Sequence, residues 1–121
     1  MKKALTLLFC FICYQISCHA QVADEHYYFK NLSVQNGLSQ NTVNTILQDK
    51  QGFMWFGTKD GLNRYDGLSF RKFKHDDRSQ RSIGNNFITA LYEDEKGNIW
   101  VGTDVGLYIY YPEKDFFEHF T

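Results

Sequence analysis

The residues best equipped for chemistry are carboxylates. Asp60, Asp66, Asp76 and Asp104 are spread along the chain, and two of them across a cleft at a fixed separation would suit acid/base cleavage of a glycosidic bond. Three stand within two residues of a glycine and the fourth lies in a polar run, where an Asp side chain accepts backbone N–H groups, so turn-making explains them more simply. His26, His75 and His119 are dispersed and lack the spacing of metal ligands, so no metal and no other cofactor is expected. Cys10 and Cys13 have the spacing of a redox pair but sit in an apolar leader with Cys18. The cations Arg71, Lys72, Lys74, Arg78 and Arg81 would make an anion-binding patch, yet Asp76 and Asp77 interrupt them, and Lys and Arg stems commonly cover sheet edges. No catalytic residue is expected.

Lys2 and Lys3 precede a nearly unbroken apolar run from Ala4 to Ile16, and Cys18-His19-Ala20 puts small residues where a signal peptidase reads. Residues 1–20 are therefore expected to be a signal peptide, cleaved between Ala20 and Gln21. The apolar run is shorter than the roughly 18 to 20 residues needed to span a bilayer. A lipid anchor on Cys18 fits less well, because Gln15 occupies the position that wants an aliphatic residue. Without the leader no cysteine remains, and the net charge moves from −1 to −3 with the loss of Lys2 and Lys3. A negative segment offers no electrostatic footprint for nucleic acid.

What must position these residues is a repeat. The stretch Asn41 to Gly67 aligns without a gap on Asn86 to Pro112 at an offset of 45 residues, the period of a four-stranded β-propeller blade. Asp49, Gly52, Trp55, Gly57, Thr58, Gly61, Leu62 and Tyr65 recur as Asp94, Gly97, Trp100, Gly102, Thr103, Gly106, Leu107 and Tyr110. Between turn signals the first copy predicts strands over Thr42–Gln48, Phe53–Thr58, Leu62–Tyr65 and Ser69–Phe73. The second predicts them over Phe87–Glu93, Asn98–Thr103, Leu107–Tyr111 and Phe116–Phe120. The fold class is all-β, two four-stranded antiparallel blades after a signal peptide. The blades occupy 41–73 and 86–121, joined by a polar loop over 74–85 and preceded by a lead-in over 21–40.

Blade physics accounts for the repeated residues as scaffold. Each tryptophan falls mid-strand, where it fills the space between blades and its indole N–H needs a partner. Gly57 and Gly102 mark close backbone approach, and Asp49 and Asp94 bond N–H groups of their own loops. The pattern Asp49-x-x-Gly52-x-x-Trp55 is similar to the Asp-box of sialidase propellers but departs from it in spacing and in lacking its Ser and Thr, and that box is itself structural. Tyr108, Tyr110 and Tyr111 are candidates for stacking on sugar rings, although strand aromatics more often fill cores.

The run Asn36-Gly37-Leu38-Ser39-Gln40-Asn41, with Gln48-Asp49, Gly52-Phe53-Met54-Trp55-Phe56-Gly57-Thr58 and Asp60-Gly61-Leu62-Asn63-Arg64-Tyr65-Asp66-Gly67, closely resembles the two-component regulator propeller. Ile99-Trp100-Val101-Gly102-Thr103 and Gly106-Leu107 resemble its next repeat. The resemblance implies the N-terminal periplasmic sensor region of a hybrid two-component histidine kinase of Bacteroidetes, responding to glycan oligosaccharides and regulating polysaccharide use. It also implies a membrane-anchored, dimeric parent whose further blades are this segment's partners and whose kinase domains lie elsewhere. His26 to Leu32 would then supply the ring-closing outer strand of the last blade, and two blades would be an excerpt of a longer protein. Ligand-binding residues are not assigned by it. The other readings are the propeller of a secreted polysaccharide-active enzyme and a non-catalytic protein-interaction propeller.

Overall fold

The computed structural model describes residues 2–15 and 23–121, the side chains of 12–15 excepted. The chain divides into two units, Met1–Lys30 and Asn31–Thr121.

In the first unit the apolar leader forms helix α1 (Lys2–Gln15). No described helix is long and apolar enough to cross a membrane. The expected cleavage pair, Ala20 and Gln21, and Cys18 lie outside the described residues. Residues 23–30 carry no regular structure, and Tyr27, Tyr28 and Phe29 are exposed. The strand anticipated over 26–32 is thus not formed here. A strand needs a neighbouring edge to bond its N–H and C=O groups, and the last blade, whose outer edge it was expected to join, is neither of these two sheets.

The second unit opens with a 3-10 turn, Val34–Asn36, capped by the Ser33 hydroxyl and closed by Gly37 at φ 111°. Eight strands follow: β1 (Val43–Gln48), β2 (Met54–Thr58), β3 (Gly61–Tyr65), β4 (Phe70–Phe73), β5 (Ile88–Glu93), β6 (Ile99–Thr103), β7 (Gly106–Tyr111) and β8 (Phe116–Phe120). They form two four-stranded antiparallel meanders, β1-β2-β3-β4 and β5-β6-β7-β8. The observed ends differ from the expected ones by at most one residue. Gly61 and Gly106 open β3 and β7 rather than ending the preceding turns, because each pairs directly with the threonine that closes the strand before it. The two sheets also share an irregularity, a register shift between Val43 and Thr45 repeated between Ile88 and Ala90. Such a bulge adds local twist at the same point of each sheet.

One apolar layer lies between the sheets. Trp55, Leu62 and Phe73 of the first meet Ile88, Ile99, Val101, Tyr108, Tyr110 and Phe117 of the second, with Ile83 from the connector buried among them. Burying a large apolar side chain contributes about 1.5–3 kcal/mol, so this layer dominates the cohesion of the pair. The connector is tied down by its own polar groups. The Asp76 N–H donates to the Ser82 hydroxyl, the His75 N–H to the Asn86 amide oxygen, and the Phe117 N–H to the Arg81 carbonyl.

Candidate functional site

Of the repeated residues, Trp55, Gly57 and Leu62 pack at the seam between the sheets, while their counterparts Trp100, Gly102 and Leu107 lie on the other face of the second sheet. Asp49 follows β1 and its carboxylate does two jobs: Oδ1 accepts the N–H groups of Gln51 and Phe53 at 3.0 and 2.9 Å, and Oδ2 accepts the Trp55 indole N–H at 2.8 Å. Asp94 repeats this toward Lys96, Asn98 and the Trp100 indole, the last at 3.0 Å. The indole bond foremost, with the loop N–H groups, holds the Asp94 carboxyl below its ordinary pKa. Gly52 and Gly97 take φ of 92° and 82° in these loops, a left-handed conformation costly to other residues. The bond between Asp and Trp was not read from the sequence. Its trace is there, since both repeats hold the two residues six apart.

Beyond the tryptophans, the threonine hydroxyls close the next turn. Thr58 Oγ1 donates to the Gly61 carbonyl and Thr103 Oγ1 to that of Gly106, both at 2.9 Å. Gly57 packs so tightly that a β-carbon there would lie 2.5 Å from Ile88 Cγ2 of the other sheet. At Gly102 the nearest atoms, 3.1 Å away and beyond, belong to its own sheet. Tyr65 donates from its hydroxyl to the Gly67 carbonyl and rests on Phe70. Its counterpart Tyr110 is 1% exposed, edge-on to Trp55. Burial, then the Asp115 carboxylate its hydroxyl donates to, raises the Tyr110 pKa.

Exposure exposes the logic of the repeat. Gly57 and Leu62 are buried while their counterparts Gly102 and Leu107 are half-exposed; conversely Met54, Phe56 and Tyr65 are half-exposed while Ile99, Val101 and Tyr110 are buried. Each sheet therefore has one covered and one uncovered face. The uncovered face of the second sheet carries the half-buried Trp100 and the exposed Tyr92 and Phe120.

Of the anticipated sugar platforms, Tyr108 and Tyr110 are withdrawn from solvent at 9% and 1% exposure, because residues 106, 108 and 110 of β7 face the seam. Tyr111 stays partly accessible and donates to Glu118. The four acids do not assemble into a catalytic pair. Asp60 is paired with Lys74 at 2.8 Å, Asp66 accepts the N–H groups of Leu68 and Ser69, and Asp76 holds Arg78. The backbone N–H of Asp104 donates to the Phe87 carbonyl, and no cluster of metal-ligating side chains occurs among the described residues.

The cations come together only in part. Arg71, Lys72, Lys74 and Arg81 line one groove of about 530 Å³ at the outer rim, which Arg78 does not reach. Arg71 is already committed across the seam: its guanidinium donates to both oxygens of Asp115 at 2.7 Å. Arg71 first, then the Tyr110 hydroxyl, holds the Asp115 carboxyl below its ordinary pKa. Asp115 sits at φ 53°, the one non-glycine positive φ among the described residues. A second groove, of about 220 Å³, opens at the loop end of the seam between the β1–β2 and β7–β8 loops, with Arg64 in its wall.

Two four-stranded meanders facing each other through one apolar layer, each leaving its opposite face open, are consecutive blades of a β-propeller. Residues 37–60 and 82–105 match the family Two component regulator propeller, one match in each repeat. Over 77 residues the chain is 40% identical to Histidine kinase P4 of Formosa agariphila, an alignment covering 64% of this chain and 5% of that protein. It is also similar to the extracellular domain of a hybrid two component system of B. thetaiotaomicron, with a TM-score of 0.73 and 37% identity over 79% of this chain and 14% of that one. The chain thus spans a small fraction of the relatives it matches.

The family match begins at Gly37 and Ser82, upstream of the point where the identical residues become obvious. Leu38 and Ile83, both buried, occupy equivalent places just ahead of β1 and β5. Ser39 is built in as well: its N–H donates to the Asn63 amide oxygen at 2.9 Å and its hydroxyl lies 2.9 Å from that of Thr58. At the equivalent place Gly84 leaves room for the Tyr108 hydroxyl, which a β-carbon would overlap at 1.8 Å. The chemical signal was a pair of aliphatic residues 45 apart, faint beside the repeated Trp and Gly.

Proposed function

We propose that this chain supplies the opening blades of the extracytoplasmic sensing propeller of a hybrid two-component sensor, delivered across the inner membrane by residues 1–20 and cleaved after Ala20. The observation that carries the reading is the pair of uncovered faces. Trp100, Gly102 and Phe120 repeat or extend the surface that Trp55 and Gly57 bury against the second blade, so each open face is shaped for another blade. The similarity to a histidine kinase and to a hybrid-system extracellular domain supports the same reading. Residues 26–32 become the ring-closing outer strand once the last blade offers an edge.

The blades act by presenting loops and by transmitting strain, with no covalent chemistry of their own. The parent is membrane-anchored and dimeric, and its ligand is an oligosaccharide whose arrival switches genes for polysaccharide use. The test is to titrate the complete protein in membranes with a panel of oligosaccharides while following autophosphorylation and ligand binding. Saturable binding of one glycan with a change in phosphorylation is expected. A complete protein that lacks kinase motifs, or that responds to no glycan, overturns the sensing role.

A further inference from the structure

We propose that the open face of the second blade is an acidic docking surface, and that the blade seated on it in the complete protein carries lysine or arginine at the place where the second blade carries Asp115. The inference rests on the reading that further blades follow, and it names the chemistry of the next one.

Two cations of the first blade reach across the described seam. Arg71 on β4 donates to both oxygens of Asp115 at 2.7 Å. Lys50, in the loop after β1, donates its ammonium to the carbonyls of Asp94 and Glu95 at 3.2 and 3.5 Å. Strand register gives the equivalent places on the second blade. Arg71 pairs with Arg64, and Glu118 pairs with Ile109. Residues 64 and 109 stand one repeat of 45 apart, so Glu118 occupies the place of Arg71, with the sign of the charge reversed. Lys50, one repeat on, becomes Glu95. The outgoing face thus exchanges Lys50, Arg64 and Arg71 for Glu95, Ile109 and Glu118, and Lys96 in place of Gln51 offsets one of those changes.

Glu118 is exposed on that face. One of its oxygens accepts the Tyr111 hydroxyl at 2.8 Å, which steadies the carboxylate, and it forms no ion pair among the described residues. A covering blade withdraws this carboxylate from water, which is unfavourable unless the blade brings a counter-charge. The known blades do not bring one. A copy of the second would set Asp115 against Glu118, and like charges facing each other repel. A copy of the first would offer Leu68, which precedes Phe70 by two residues as Asp115 precedes Phe117, the two phenylalanines pairing with Tyr65 and Tyr110. Another copy of this chain is therefore not the occupant the face is built for. A third blade with a cation in its last turn is, and the reversal of charge from one seam to the next excludes the wrong neighbour while it attracts the right one.

The test uses the complete natural chain. The residue of the blade after Thr121 that stands at the Asp115 place is read from the sequence, and its charge is then exchanged with that of Glu118. Thermal midpoints are compared in low and in molar salt for the wild type, Glu118→Lys, the opposite change at the partner, and the two together. Each single change should lower the midpoint in low salt, and the double variant should recover most of the loss. Molar salt should shrink all of these differences, because it screens charges beyond about 3 Å. Should Glu118→Lys not fold, Glu118→Gln decides, with a midpoint below the wild type in low salt and level with it in molar salt. A next blade with an acidic or neutral residue at that place overturns this inference and leaves the sensing propeller standing. Strictly additive losses in the double variant, or a Glu118→Gln midpoint unmoved in low salt, overturn it too. Absence of any further blade would overturn both readings together.

Discussion

A tryptophan buried between two sheets brings an indole N–H that needs an acceptor, and a tight loop brings N–H groups that need one too. Asp49 and Asp94 meet both demands with one carboxylate. From the sequence each residue is interpretable alone, the Asp as a turn-former and the Trp as a filler of the seam. Their bond is not, because six residues of separation become contact only after the chain reverses through the glycine. A double-mutant cycle on Asp49→Ala and Trp55→Phe should show coupling of about 1 kcal/mol or more, as befits a hydrogen bond to a charged acceptor. Strictly additive losses in urea unfolding would contradict the shared role.

At the scale of the elements, the alternation of apolar residues and the Asp-Gly turns made eight strands readable, because turn chemistry and period-2 patterning are local. Which face of each strand is covered was not readable, since both repeats carry the same residues and only the neighbour distinguishes them. That asymmetry predicts unequal costs. Gly57→Ala drives a methyl into Ile88 of the next blade and should destabilise by about 1–3 kcal/mol, the usual range for overpacking. Gly102→Ala meets only its own sheet and should cost clearly less in this chain, and thermal unfolding of the two variants compares them.

The Arg71 to Asp115 bridge adds a pH signature to the same seam. Asp115 has its pKa depressed in the folded state, so its contribution is present above the unfolded value of about 3.9 and is lost as pH falls through the lower folded value. Both side chains are about half exposed, which limits the contribution to about 1 kcal/mol or less. Between pH 6 and pH 3 the wild type should lose more of its urea midpoint than Asp115→Asn, and parallel losses would show that the bridge carries none of the pH dependence.

For the whole molecule, two blades make one buried seam and leave two faces open. Ile46 on the first blade and Tyr92 and Phe120 on the second are more than half exposed, and apolar sheet faces of this kind invite association. The 121-residue chain should therefore sediment as concentration-dependent oligomers at micromolar levels, and adding the next blade from its natural sequence should raise the thermal midpoint. A monomer at every concentration would argue that the faces are less adhesive than their composition indicates. The sequence conveyed the number of blades because the period is written in Trp and Gly. It did not convey the seam's edge, where Ile83 packs ahead of the conspicuous motif, nor the burial of Leu38 at the equivalent place in the first repeat.

Those two aliphatic residues bear on how such a protein grows. Ile83 is carried at the head of the second repeat, yet it is buried in the layer the second blade shares with the first. A gene duplication that copies one 45-residue unit therefore copies the mortar along with the brick, and a new blade arrives in the lineage already equipped to bind its predecessor.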